Sequence, residues 1–181
     1  MSFGINIEVS NTLEDVKILT PSVSEDSRGN IWTSYTSEEI DTLLPADLSF
    51  KHDKFSMSKK NVLRGLHGDH KSWKLVTCVY GQICQVVVDL REDSPSYLQS
   101  HQFIIDSSKP QSILIPPGMG NGYFVISPTA LYHYKLAYNG DYIDADQQFT
   151  IKWNDPRLKI TWPTDNPILS NRDKGEENVK N

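Results

Sequence analysis

The chain reads as an all-β protein, a sandwich or a barrel. Strand-like runs rich in Val, Ile, Tyr and Thr recur about every 8–12 residues with turn residues between them. Only one segment carries the start and stop signals of a helix. Several runs, residues 83–89 among them, sort alternate side chains onto two faces, as a strand does.

The 181 residues are expected to form a single domain, residues 1–181, large enough to bury a substantial core, with hydrophilic residues 174–181 as a flexible tail. A net charge of −5 and a pI near 5.5 argue against nucleic acid as a partner. No apolar run reaches the length of a membrane span, and Met-Ser-Phe-Gly-Ile-Asn lacks the layout of a signal peptide. Cys78 and Cys84 flank the Gly81 turn and read as buried thiols. A cytoplasmic protein is expected.

In chain order, Val16-Lys-Ile-Leu-Thr before Pro21 reads as a strand. Glu25-Asp-Ser-Arg-Gly29 reads as a turn, and residues 30–35 as the return strand of a hairpin. Residues 37–44 are the helix: Ser37 caps it, Glu38 and Glu39 favour its first turn, and Pro45 ends it. Strands follow at residues 50–58, 62–66, 74–80, 82–90, 102–106, 112–115, 123–127 and 130–138. The glycines of Gly118-Met-Gly-Asn-Gly122 suit a turn needing positive φ. Within residues 82–90, Ile83, Gln85, Val87 and Asp89 share one face, and Cys84, Val86 and Val88 the other. Tyr132, Tyr134 and Tyr138 fall on one face of the last long strand. An aromatic packing stripe explains them, and so does a phenol facing a polar lumen, where it is a usable proton donor.

The chemistry centres on Asn61-Val-Leu-Arg-Gly-Leu-His67 and Lys74-Leu-Val-Thr-Cys-Val-Tyr-Gly81. Arg64 and His67 on one apolar strand and Lys74 on the next are unusual, because charges enter such strands when paired or used. An edge strand with a solvated rim fits the same residues. His67 and His70 flank Asp69, but the position expected of a further metal ligand holds Trp73 and Lys74, and a protonated lysine is not a ligand. No metal is expected, and no phosphate-binding glycine loop or nucleophile elbow is present. A His, a Lys and a Tyr on barrel strands suit proton abstraction beside a carbonyl.

The motifs Val62-Leu-Arg-Gly-Leu-His67, Lys74-Leu-Val76, Val87-Val-Asp-Leu-Arg-Glu-Asp-Ser-Pro95, Ile115-Pro-Pro-Gly118, Tyr134-Lys135, Trp153-Asn-Asp-Pro156 and Ile160-Thr-Trp-Pro163 closely resemble the nucleotide-sugar 3,5-epimerases. The type member of that family acts on dTDP-4-keto-6-deoxyglucose in rhamnose synthesis. The resemblance runs from about residue 13 to 173. It implies a cupin-type jelly-roll barrel with short peripheral helices, working without metal or cofactor as a homodimer that exchanges N-terminal strands. It also implies His67 as catalytic base, Asp173 as its carboxylate partner, Lys74 as the cation on the enolate and Tyr134 as the acid. Arg64 would contact phosphate, and Arg28 would reach the diphosphate of the neighbouring subunit.

Three pocket positions depart from the rhamnose-pathway pattern. Gly120-Asn121-Gly122 replaces Ala-His-Gly, Thr33 replaces the acidic residue that reads thymine, and His52-Asp53-Lys54 replaces Gln-Asp-Asn. Thr33, Lys54 and Asn121 are therefore expected substrate contacts. Leu66-His-Gly-Asp69, Lys74 to Gly81, Met119-Gly-Asn121 and Asp144-Ala-Asp-Gln-Gln-Phe149 resemble more the branch acting on GDP-linked 4-keto-heptoses for bacterial capsules. The expected activity is epimerisation at C3, C5 or both of such a sugar, through an enolate. The alternatives are the dTDP-4-keto-6-deoxyglucose 3,5-epimerase of rhamnose synthesis and a non-catalytic barrel that binds sugar nucleotides. A 3,4-ketoisomerase on the same barrel would need a His-x-His pair.

Overall fold

A computed structural model describes residues 4–175. Its strands are β1 (Ile5–Val9), β2 (Lys17–Pro21), β3 (Ser24–Asp26), β4 (Gly29–Ile31), β5 (His52–Lys59), β6 (Leu63–Gly68) and β7 (Trp73–Tyr80). They continue as β8 (Gln82–Asp89), β9 (Ser100–Asp106), β10 (Ser112–Ile115), β11 (Met119–Val125), β12 (Thr129–Ala137) and β13 (Phe149–Thr150). Short helices α1 (Ser37–Ile40) and α2 (Asn171–Lys174) lie outside the sheets. A six-stranded sheet ordered β1-β2-β10-β7-β12-β5 faces a five-stranded sheet ordered β13-β6-β11-β8-β9. The fold is a cupin-type jelly roll.

The alternation in β8 explains the layers. Ile83 and Val87 point between the sheets and pack with Val76, Ile113, Tyr123 and Tyr132. Cys84, Val86 and Val88 point outward, where Leu158 and Trp162 of the C-terminal segment cover them. Both faces of β8 are dry, so it reads as an almost unbroken apolar run, each Val or Ile worth about 1.5–3 kcal/mol when buried. Helix α1 closes the outer face of the other sheet, burying Ile40 and Leu44 against Leu19, Leu75 and Leu114. Cys78 and Cys84 are free and buried, Cys78 in the core between the sheets and Cys84 under the C-terminal segment outside the five-stranded sheet.

At the end of β8 the motif Val87-Val-Asp-Leu-Arg-Glu-Asp-Ser-Pro95 is a structural clamp. Burial pushes the Asp89 carboxyl up, but hydrogen bonds from Arg91, Ser94 and Ser96 outweigh it and hold the group at about 2.

Several local expectations change. Strand β2 does not form a hairpin with residues 30–35: it pairs with β1 and β10, and the hairpin is the tighter β3–β4 pair around Gly29. Inside the sheet β2 has a hydrogen-bonded partner on each side, where a hairpin would give it only one. Helix α1 is capped at Thr36, not Ser37, without a side-chain hydrogen bond, and Asp41–Leu43 continue it as a 3₁₀ turn. Of Gly118–Gly122 only Gly118 is a turn residue, with φ +83°, while the rest belong to β11. Gly122 is there because a Cβ would lie 2.8 Å from the Arg64 carbonyl oxygen on β6. Of the residues expected to form a tail, Lys174 belongs to α2, and residues 176–181 lie outside the described region.

Candidate active site

Between the sheets opens a cleft of about 360 Å³. Strand parity alone does not place both Arg64 and His67 in it, since they are three positions apart. The pairing of β6 with β11 supplies the missing step. Asn121 is opposite His67 and Tyr123 opposite Arg64, so β6 spends one residue more than β11 between the two pairs. Gly65 takes up the irregularity at φ +116°, and a Cβ there would meet the Asn121 oxygen and the Gly122 Cα at 2.6 Å. Glycine is required at this position, and Arg64 and His67 both line the cleft.

From the opposite sheet, β12 presents Tyr134 and Leu136, and β7 presents Lys74. Lys54 of β5 stands beside Tyr134 in register. The chain is acidic overall, yet Lys54, Arg64, Lys74 and Arg172 line the cleft against two carboxylates, Asp69 and Asp173. Such a cleft favours an anionic ligand.

Each charged group is held by a partner. His67 Nε2 lies 2.6 Å from Asp173 Oδ1. Ser170 Oγ donates to Asp173 Oδ2 at 2.9 Å and accepts from the Asp173 backbone N–H, so one serine caps α2 and aims its carboxylate. An ionised carboxylate only accepts, so His67 carries its proton on Nε2 and keeps a lone pair on Nδ1. Lys74 is buried, with Nζ 3.6 Å from Asp69 Oδ2, an ion-pair distance rather than a hydrogen bond. Burial pulls the Lys74 ammonium below its ordinary range, and Asp69 offsets part of that. Asp69 is fixed in turn by the backbone N–H groups of Lys71 and Ser72, at 2.9 and 2.6 Å.

Tyr134 packs edge-on against Tyr132, with ring centroids 4.6 Å apart. Its hydroxyl makes no hydrogen bond among the described residues, and burial raises its pKa far above the ordinary phenol value. Arg64 opposes part of that rise. Arg64 Nε donates to Ser58 Oγ at 2.9 Å. Tyr138, placed with Tyr132 and Tyr134 by parity, lies past the end of β12, where its hydroxyl meets His52 Nδ1 at 3.2 Å. His70 packs on Phe149 instead of entering the cleft, ring centroids 5.2 Å apart.

The structure thus brings His67, Tyr134, Lys74, Asp173, Arg64, Lys54 and Asn121 together. It does not bring Arg28 or Thr33 to the cleft of their own chain. Arg28 sits at the exposed tip of β3–β4, tied to Asp26. Sequence reading missed Asp69, Ser170, Arg172 and Tyr142. Asp69 was findable, because a buried lysine needs a carboxylate. Ser170 was findable as a cap three residues before Asp173. Arg172 and Tyr142 sit in segments without a periodic pattern.

The family model for dTDP-4-dehydrorhamnose 3,5-epimerase matches residues 10–181. The chain belongs to this family. The dTDP-4-dehydrorhamnose 3,5-epimerase of Escherichia coli K12 is 36% identical over 170 residues, covering 92% of this chain and 90% of that one. The epimerase of the same name from Pseudomonas aeruginosa is 34% identical over 165 residues, covering 90% of each chain. Among solved structures, the epimerase from Legionella pneumophila in complex with dTDP-4-keto-L-rhamnose superposes with a TM-score of 0.86 at 32% identity, covering 95% of this chain and 91% of that one. Membership in the 3,5-epimerase family makes the protein an isomerase acting on a sugar nucleotide.

Proposed function

We propose that the protein inverts C3, C5 or both in a nucleotide-diphosphate 4-keto sugar. One observation carries this reading: His67 on one sheet, paired with Asp173 of α2, faces the Tyr134 hydroxyl, unbonded among the described residues, and the Asp69-held Lys74 on the other sheet across a single cleft. Protons at C3 and C5 are acidic because C4 is a carbonyl. His67 takes such a proton on its free nitrogen, and Asp173 stabilises the imidazolium. The C–H electron pair moves into the enolate, whose O4 is stabilised by the Lys74 ammonium. Tyr134 returns a proton from the other face and the carbonyl re-forms, inverted at the neighbouring carbon. Burial keeps the phenol protonated until the enolate takes its proton. Arg64, Lys54 and Arg172 supply the charge for the diphosphate.

The relatives are named for dTDP-4-dehydrorhamnose, which supports a dTDP-linked 4-keto-6-deoxyhexose as substrate. A second reading, a GDP-linked 4-keto-heptose, is favoured by Asn121: a short amide, not an imidazole, stands opposite His67. Incubating dTDP-hexose and GDP-heptose 4-keto substrates in D₂O tests both. Deuterium gain with inversion names the substrate, and no gain from either overturns the reading.

We further infer a homodimer exchanging N-terminal strands. Strands β1 and β5 are the two edges of the six-stranded sheet. Val9 is 67% exposed on one, Phe55 and Met57 are 59% and 69% exposed on the other, and Ile31 and Trp32 are exposed beyond the β3–β4 hairpin. A second copy covering these edges would bring Arg28 and Thr33 towards its partner's cleft.

A further inference from the structure

Behind the cleft wall lies Gln85, on β8 and fully buried. Its amide nitrogen is 3.2 Å from the Val86 carbonyl oxygen. A carbonyl can only accept, so the group facing it is the NH₂, and the Gln85 amide has one permitted orientation. Its Oε1 accepts from the Tyr132 hydroxyl at 2.7 Å. Its second N–H goes to Asn121 Oδ1. The Asn121 amide is thereby fixed as well, oxygen inward to Gln85 and nitrogen away from it. That nitrogen has two N–H groups. Neither makes a hydrogen bond to another described residue, and Asn121 lines the cleft opposite His67.

We propose that Gln85 is a positioning residue that locks Asn121 as a hydrogen-bond donor into the cleft, where it reads an oxygen of the sugar beside the carbon that His67 deprotonates. This rests on the epimerase reading. An amide has no proton to lose at working pH, so Asn121 discriminates between sugars without taking part in the proton transfer. A free Asn121 amide could present either end to the cleft. The locked one accepts only ligands that offer an acceptor there, and rejects those that leave the N–H unpaired.

Gln85→Met keeps the length of the side chain and removes both locks. KM for the sugar nucleotide should rise roughly 3- to 10-fold, the worth of one neutral hydrogen bond. The affinity for the free nucleoside diphosphate should stay unchanged. In an Asn121→Ala background the same change should add nothing further, whereas a merely structural role would add its own loss. Unchanged KM for Gln85→Met, or additive losses, would overturn the proposal. A second measurement needs neither variant nor substrate. In the ¹⁵N spectrum of the unaltered protein, the Gln85 side-chain amide protons should be protected from exchange with water, and an Asn121 amide proton should exchange freely. The reverse pattern would sink the proposal even if the protein turned over every 4-keto sugar. Absence of turnover with the expected spectrum would sink only the epimerase reading.

Discussion

His67 and Asp173 are 106 residues apart in sequence, yet His67 Nε2 and Asp173 Oδ1 lie 2.6 Å apart. One belongs to the β6 wall and the other to a single helical turn near the chain's end, and Ser170 fixes the carboxylate in place. Such a pair holds an imidazole in one tautomer. His67→Asn should therefore lower deuterium uptake at every carbon by about 10²–10⁴-fold and leave nucleotide affinity nearly intact. Asp173→Asn should cost less, about 10–100-fold, because the base survives without its orienter. Wild-type exchange rates in His67→Asn would remove it from the role of base.

The helical segment after residue 36 was legible because its ends carry start and stop residues, and the long strands of the two sheets and both faces of β8 because periodicity reports burial directly. The barrel walls were legible for the same reason. What the sequence hid was pairing that depends on register and on loops. Arg64 and His67 share a cleft only through the irregularity at Gly65, and no pattern of residues 62–68 announces it. Without the resemblance, Asp173 reads as a solvated residue before a tail. It is buried because α2 folds against β6, a contact between distant segments that local signals do not encode.

Lys74 and Asp69 make a prediction with a definite sign. Burial lowers the Lys74 pKa in the folded state below its unfolded value, so the folded protein binds fewer protons there. The ionised lysine therefore costs stability below its folded pKa, and that cost fades as pH rises towards the unfolded value of 10.5. Asp69→Asn removes the offset and lowers the Lys74 pKa further. The alkaline limb of the kcat/KM profile should move to lower pH, because the proposed mechanism uses the ammonium. Lys74→Met should lower kcat by about 10²–10³-fold at all pH values, with the limb gone. A profile unmoved by Asp69→Asn would refute the coupling.

Gly65→Ala tests the register. The added methyl would meet backbone atoms at 2.6 Å on a residue at φ +116°, and backbone cannot move aside cheaply. A loss of about 2–5 kcal/mol in stability is expected. Thermal unfolding should show it, and any folded fraction should bind sugar nucleotide poorly because Arg64 and His67 no longer converge. A variant as stable and active as the parent would mean that the strand tolerates another path.

The exposed apolar side chains on β1 and β5 predict assembly. Light scattering at micromolar concentration should give twice the chain mass of 20.6 kDa. Phe55→Lys with Met57→Lys should yield the monomer, because charge on an edge strand opposes pairing. Removing the guanidinium in Arg28→Ala should then weaken substrate binding in the dimer and have no effect on the monomer's residual affinity. A monomeric parent protein would sink both statements.

The role proposed for Tyr134 separates exchange from inversion. A proton returned to the face it left restores the starting sugar, so inversion requires a donor opposite His67. Tyr134 stands on the opposite sheet, its hydroxyl unpaired among the described residues and its proton held firmly by burial. Tyr134→Phe keeps the ring packed on Tyr132 and deletes a group that bonds nothing among the described residues, so stability should change by less than about 1 kcal/mol. Epimer formation should fall by about 10²–10⁴-fold, most of all at C5. His67 remains, so the variant should still wash deuterium into the substrate with retention of configuration. That combination, exchange without inversion, separates loss of the acid from loss of the site. Wild-type amounts of both epimers from Tyr134→Phe would rule the tyrosine out as the donor.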